Sequence, residues 1–129
     1  MNKILVEVSI GELLDKISIL EIKLEKIKDP QKLKFITNEH SILKNQLDNN
    51  VESNEKLSEL FQSLKEINTR LWKIEDDKRQ CEKDKDFGEK FIKLSRDVHF
   101  LNDDRAKIKL EINNHTGSVI KEIKEYTSY

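Results

Sequence analysis

Apolar residues recur at alternating steps of three and four positions through most of this 129-residue chain. That spacing places apolar side chains on one face of an α-helix. With only three glycines and one proline, the chain also lacks the turns of an all-β sandwich or barrel and the Gly-rich loop of a phosphate site. The sequence therefore predicts an all-α protein. The strictest apolar seam consists of Leu57, Leu60, Leu64, Ile67, Leu71 and Ile74.

The charge composition narrows the function classes. Charged residues make up 38% of the chain, yet 24 basic and 25 acidic residues leave a net charge of -1. This balance disfavours a nucleic-acid-binding or membrane-surface role, because proteins with either role typically carry more basic than acidic residues. No apolar run approaches the roughly 18 residues of a membrane span, no signal-peptide layout is present, and one cysteine excludes an internal disulfide. We expect a cytoplasmic protein without nucleic-acid or membrane partners.

Start and stop signals divide the chain into four helices. Ser9 stands three residues before Glu12, as in a capping box, and Asp29-Pro30 supplies an N-cap and a first helical residue. Gly88 suits a turn, and Gly117 suits a helix end. The expected elements are helix 1 over Ile10–Lys28, helix 2 from Pro30 to a polar connector at 48–53, helix 3 from there into the charge-dense stretch 75–90, and helix 4 over Glu89–Asn114.

Three apolar patterns carry further expectations. In residues 1–8 the apolar side chains alternate, which predicts a short strand or extended segment. The C-terminal tail is expected to form a last short helix, with a strand paired to the N-terminal segment as the alternative. The inward residues of helix 2 are expected to be Leu33, Ile36, His40, Ile42, Leu43 and Leu47; the tail pattern is Val119, Ile120, Ile123 and Tyr126.

These elements favour a single helical domain over residues 1–129, an up-down bundle of about four helices. Helices 3 and 4 are each about 40 Å long at 1.5 Å per residue, so they are expected to form a long antiparallel coiled-coil hairpin. The shorter helices 1 and 2 would pack on its lower half, and the tip at 76–90 would project alone. We expect a homodimer or another protein partner for so long a seam.

No metal or cofactor site is expected from the sequence. His40, His99 and His115 lie on different segments, and Cys81 has no companion. Glu12 and Asp15 have the Glu-x-x-Asp spacing of magnesium pairs in all-α nucleotide pyrophosphohydrolases. At this density of acidic residues, a solvated helix face is the favoured interpretation.

Arg105 is the most informative exception to the apolar seams, since it occupies an inward position of helix 4 near Ile67 and Arg70 of helix 3. A buried guanidinium must be paired. One hypothesis is an ion pair that fixes the helix register. The other is a pocket in which arginine side chains bind a small anionic ligand such as phosphate or carboxylate. Its residues would be Arg70, Asn102, Arg105 and Lys109, with Asp15, Glu21 and Glu75 as carboxylate partners.

Several stretches, taken in their order along the chain, resemble a known family. These are VEVSIGELLDKISILEIKLEKI near the start, LWKIEDDKR in the middle, and FIKLSRDVHFLNDDRAKIKLEIN followed by GS and KEY near the end. Together they resemble a small uncharacterised domain family of bacteria, especially marine ones, and of their phages. Other members tend to have proline where this chain has Ile10. The resemblance implies an all-helical domain, in some cases beside glycosyltransferase modules, and implies no catalytic residues.

Two functions follow as hypotheses. The first is a non-enzymatic helical module for interaction or oligomerisation, favoured by the apolar seams and the lack of a strong catalytic motif. The second is a small all-α enzyme or anionic-ligand-binding protein with the arginine-lined pocket around Arg105. The sequence leaves open whether the protein is an enzyme.

Overall fold

The computed structural model describes residues 2–129, and these form four α-helices. This confirms the predicted all-α bundle, with the longest packed pair formed by helices 3 and 4. The chain runs up and down, because residues early in the first helix contact the end of the fourth and later ones contact its middle. The helices are α1 (Ile10–Lys26), α2 (Pro30–Asn50), α3 (Glu55–Asp84) and α4 (Glu89–Thr116).

Capping side chains account for where three of the four described helices start. The Ser9 side chain accepts a hydrogen bond from the Glu12 N–H at 3.0 Å, and the Asp29 side chain accepts one from the Gln31 N–H at 2.9 Å. Asn54 caps α3 in the same way. Each bond satisfies a backbone donor that has no partner within its helix.

The core lies between α1 and the α3–α4 hairpin. Its buried cluster brings one residue from each of α1 and α4 against three leucines of α3, and Leu64 is completely buried. Helix α1 packs against all three other helices, whereas the α2 backbone approaches only α1. The cluster consists of Leu14, Leu57, Leu60, Leu64 and Ile112.

Helix α2 has no fully buried residue. Leu33, Ile36, His40, Leu43 and Leu47 form its half-buried stripe. The expectation that Ile42 also faces inward is wrong, because Ile42 is about half exposed. It lies one residue before Leu43, and neighbouring residues point about 100° apart on a helix.

The α3–α4 hairpin is antiparallel along its length. Asn54 contacts His115 at one end, and the Lys78 ammonium lies 5.8 Å from the centre of the Phe91 ring near the other. Lys85 ends α3 in a left-handed conformation with φ 56°. Gly117 ends α4 at φ 67°, the role its sequence position indicated, because glycine has no Cβ to oppose that conformation.

Neither terminal segment forms a helix or a strand among the described residues. Residues 2–8, predicted to be a short strand or an extended segment, form an exposed segment without a strand partner. The predicted helix in the tail is wrong, since the described chain has no helix between Thr116 and its end at residue 129. A helix this short is marginal on its own. The tail is held instead by separate contacts to α1 and α4, through Ser118, Glu122 and Tyr129.

Candidate functional site

A buried carboxylate joins three helices. Asp15 of α1 is 2% exposed, and it accepts a hydrogen bond from Asn68 Nδ2 of α3 at 2.8 Å. Arg105 of α4 donates to both of its oxygens, through Nε at 2.9 Å and through Nη2. Ser18 Oγ accepts the second N–H of Asn68 and donates to the Asp15 carbonyl oxygen. We call Asp15, Ser18, Asn68 and Arg105 the Asp15 cluster.

The Asp15 cluster holds its carboxylate in the ionised form. Burial raises the pKa of Asp15, but the hydrogen bonds from Arg105 and Asn68 and the positive charges of Arg105 and Lys109 outweigh it, so the pKa is lower than usual. The hydrogen bond to Asp15 likewise raises the pKa of Arg105. The pair is therefore a permanent ion pair at neutral pH, and Asp15 is unsuited to proton transfer.

A second polar group lies one turn closer to the start of α1. Lys109 Nζ is 2.6 Å from Glu12 Oε2 and 3.1 Å from Glu122 Oε2, so it links α4 to α1 and to the tail. Burial lowers the pKa of Lys109, but its two carboxylate partners raise it further, and the net change is upward. Next to it, the Gly11 N–H donates to Asn113 Oδ1 at 2.7 Å.

Gly11 allows α1 and α4 to approach this closely. A Cβ at Gly11 would lie 2.6 Å from the Lys109 carbonyl oxygen and 3.0 Å from Asn113 Oδ1. No side chain larger than hydrogen fits there without moving backbone. The position of Gly11 in the first turn of α1 is thus a packing requirement.

A shallow cleft of about 500 Å³ opens beside Arg105. The Arg105 side chain is 28% exposed, and only two of the five N–H groups of its guanidinium donate to Asp15. Glu75 and Arg79 form an ion pair at 2.7 Å along the cleft. The walls are otherwise mainly apolar, formed by Ile19, Ile22, Leu71 and Trp72.

The structure brings together only part of the residue set expected around Arg105. Asp15 pairs with it directly, Glu75 shares its cleft, and Lys109 lies one turn away with other partners. Arg70 is exposed and does not line the cleft, and neither does the half-buried Asn102. Arg70 lies two residues after Asn68, so it points to the opposite face of α3.

Glu21 is not a partner of Arg105, which corrects that expectation. Its carboxylate pairs with Lys65 at 3.2 Å and lies 3.4 Å from His40 Nε2. Six residues separate it from Asp15, which turns its side chain about 240° around α1. Glu21 therefore faces α2 and the outer side of α3.

Sequence reasoning missed the roles of Glu12, Gly11, Ser18 and Asn113. The sequence marks Glu12 by its capping-box spacing from Ser9 and by its spacing from Asp15, and neither spacing reveals its partner. In the structure Glu12 pairs with Lys109 of α4, whereas Asp15 pairs with Arg105. A glycine inside the first helical turn was the available signal for close packing. Ser18 and Asn113 are polar residues within amphipathic stretches, and the sequence does not indicate which groups they bond to.

Comparisons with known proteins place the chain in a family but assign it no activity. Residues 4–129 match a family described as a family of unknown function, DUF6165. The chain belongs to the DUF6165 family. The matched region includes all four helices, the N-terminal segment from Ile4 and the whole tail, so the exposed segments are part of the family's sequence pattern. No curated protein matches the chain, and no solved structure does.

Two further findings concern the residues that the structure of this DUF6165 member describes. Within residues 2–129, no group of three or more His, Cys, Asp or Glu side chains is placed to hold a metal ion. Over the same residues, no helix combines the length and hydropathy needed to cross a membrane.

Proposed function

We propose that this protein is a non-enzymatic helical module that assembles with protein, foremost with a second copy of itself, through its two terminal segments. The helical bundle supplies the scaffold, and the segments on either side of it supply the contact surface. The interaction or oligomerisation role expected from the sequence is thereby assigned to the termini rather than to the hairpin seam.

The observation that carries this proposal is a contrast between the buried polar groups, which are hydrogen-bonded, and the apolar side chains of the termini, which are exposed. Among the described residues, every buried side-chain polar atom has a hydrogen-bond partner. The Asp15 cluster therefore offers no free buried group for chemistry. In contrast, Ile4, Leu5 and Val6 are 87%, 83% and 73% exposed, and the tail exposes Val119 and Ile123.

The two segments meet at one point of the bundle. The Ile10 N–H donates to Ser118 Oγ at 3.1 Å, so the N-terminal segment ends where the tail begins. From there the tail follows α4 back toward its middle, since Glu122 contacts Lys109 and Tyr129 contacts Asp103. Each segment thus presents its own exposed apolar side chains, and grouped exposed apolar side chains are typical of protein interaction sites.

Sedimentation velocity over a wide range of protein concentrations tests this proposal. We expect reversible self-association in the wild type and loss of it in the double variant Ile4→Ser, Val6→Ser, with unchanged helical circular dichroism. The matched control is Phe35→Ser with Ile42→Ser, which removes exposed apolar side chains of α2 and should leave self-association intact. A wild type that stays monomeric throughout would overturn the proposal.

A second candidate function is the binding of a small anionic ligand in the cleft beside Arg105. The observation that favours it is the partly exposed Arg105 side chain, whose guanidinium keeps three N–H groups free of Asp15 at a wall that also contains Trp72. Guanidinium groups bind phosphate and carboxylate by paired hydrogen bonds.

Nuclear magnetic resonance titration with inorganic phosphate and with benzoate tests this candidate. Shifts should be confined to Trp72, Asn68 and neighbouring cleft residues, and Arg105→Lys should weaken them because lysine lacks the planar fork. Arg70→Lys is the control, since Arg70 lies outside the cleft. Absence of shifts with both anions would exclude the site.

Other expectations stay predictions. They are the coiled-coil character of the antiparallel hairpin, the bacterial or phage source, the association with glycosyltransferase modules and the cytoplasmic location.

A further inference from the structure

Residues 2–8 have a self-complementary sequence. Ile4, Val6 and Val8 alternate with Lys3, Leu5 and Glu7, so an extended chain carries an apolar face and a face with one positive and one negative end. Nothing in the described part of the chain pairs with this segment. Strand-like segments with free backbone groups readily pair with another chain.

We propose that two copies of the protein pair through residues 2–8 as an antiparallel ribbon whose two-fold axis passes at Leu5. This rests on the proposed function and specifies its partner and register. Lys3 of each copy then lies opposite Glu7 of the other, and Ile4 lies opposite Val6. Opposite charges and apolar pairs facing each other across strands both stabilise a sheet.

The neighbouring registers are less favourable. If one strand slides by one position so that the axis lies between Leu5 and Val6, Ile4 lies opposite Glu7. If it slides by one position the other way, so that the axis lies between Ile4 and Leu5, Lys3 lies opposite Val6. Both registers place an apolar side chain against a charge. A slide by two positions that moves the axis to Val6 sets Leu5 opposite Glu7 and leaves Lys3 opposite the helix cap Ser9. Register is set by such facing pairs, and the axis at Leu5 gives both charges of each copy an opposite charge.

The geometry of the bundle leaves room for this ribbon. Strands rise about 3.3 Å per residue, so the two helical bundles, each starting at Ile10, leave the ribbon at opposite ends. A two-stranded ribbon alone is marginal in water and needs cover on its apolar face. The start of the tail can supply part of that cover, because the exposed Val119 directly follows Ser118, which bonds to Ile10 at the base of the ribbon.

A charge-swap experiment tests the register. Lys3→Glu alone sets Glu against Glu at both ends of the ribbon, and Glu7→Lys alone sets Lys against Lys. Each variant should self-associate about tenfold or more weakly than the wild type. A mixture of the two variants should restore association, because the mixed dimer contains two opposite-charge pairs. Lys32→Glu, an exposed change on α2, is the matched control and should behave like the wild type.

Cysteine cross-linking gives an independent measure of the same register. In a Cys81→Ser background, Leu5→Cys should form a disulfide-linked dimer under mild oxidation, since Leu5 lies at the axis and faces itself. Ile4→Cys and Val6→Cys should cross-link with each other in a mixture, and only weakly alone.

The outcomes separate the inference from the proposed function. A wild type that is monomeric overturns both. A dimer that survives both single charge reversals unchanged, or that cross-links best at position 6 alone, overturns the register while leaving self-association in place. Restored association in the mixture, together with cross-linking at position 5, supports the ribbon.

Discussion

Arg105 of α4 donates to both carboxylate oxygens of Asp15 on α1, and Asn68 of α3 bonds to the same carboxylate. Three helices are thereby fixed to one buried group. Because an unpaired carboxylate is costly in a protein interior, this arrangement favours one position of α1 along the hairpin over any sliding alternative. The cluster is thus a specific determinant of how α1 docks.

Removal of the cation should be strongly destabilising. Arg105→Met leaves the Asp15 carboxylate buried without its charge partner, and we expect a loss of about 3 kcal/mol in the free energy of unfolding at pH 7. Urea denaturation followed by circular dichroism measures it. Arg79→Met is the control, because Arg79 pairs with Glu75 at the surface, and it should cost no more than about 0.5 kcal/mol.

The double variant Asp15→Asn, Arg105→Met separates charge from packing. The asparagine introduced on α1 keeps an oxygen that accepts from Asn68, and no buried charge remains. The double variant should therefore be more stable than Arg105→Met alone in the same urea denaturation. If it is equally unstable, the loss arises from packing of the arginine stem and not from an unpaired carboxylate.

Stability should fall in acid. The folded-state pKa values of Asp15 and Glu122 are lowered from ordinary values of 3.8 and 4.5. As the pH falls, the two carboxylates are therefore protonated in the unfolded chain before they are protonated in the folded protein. Their contribution to the free energy of unfolding is complete above pH 4.5, the higher of the two ordinary values. It is lost progressively at lower pH, as the pH passes through the folded-state pKa values. Urea midpoints measured from about pH 7 to about pH 2.5 should be level and then decline. Asp15→Asn should decline less steeply, and equal slopes would contradict the assignment.

The helical elements were predictable because their signals are local. Ser9, Asp29 and Gly117 act on backbone groups a few residues away, so their roles could be inferred without the fold. The seam of α3 was predictable for the same reason. Its members are all buried or half-buried, as helical periodicity requires.

The site was less predictable because its contacts join distant segments. That Arg105 needs a buried partner followed from its seam position, but Asp15 and Glu21 on α1 were equally good candidates by composition. Only the rotation of α1 about its axis decides between them.

The tail escaped prediction for a related reason. Val119, Ile120 and Ile123 fit a helix pattern, whereas tertiary contacts of Ser118 and Glu122 hold the tail in an irregular path. Those contacts depend on where α1 and α4 lie, which a local pattern does not encode.

Gly11→Ala should destabilise the protein despite the better helix propensity of alanine. The added Cβ would lie 2.6 Å from the Lys109 carbonyl oxygen, so α1 must move away from α4 and the bond to Asn113 must lengthen. We expect a loss of about 1–3 kcal/mol, in the range of overpacked cores. Thermal unfolding measures it. Gly88→Ala is the control, since its Cβ would meet only Asp86 Oδ1 at 3.5 Å, and a loss as large there would contradict the steric explanation.

Lys109→Met should release the tail while the helices stay folded. Lys109 is the cation of the helical bundle that Glu122 contacts, whereas a second cation near Glu122, Lys124 at 3.6 Å, belongs to the tail itself. Without Lys109, Glu122 and the nearby Glu12 lose their shared partner, and among the described residues no ion pair of Glu122 then joins the tail to α4. Backbone ¹⁵N relaxation should therefore show faster motion over residues 119–126 in the variant, with unchanged values in α3. Lys121→Met removes an exposed lysine of the tail itself and should leave the relaxation of this stretch as in the wild type. Unchanged tail dynamics in Lys109→Met would mean that the contacts of Ser118 and Tyr129 suffice to hold the tail.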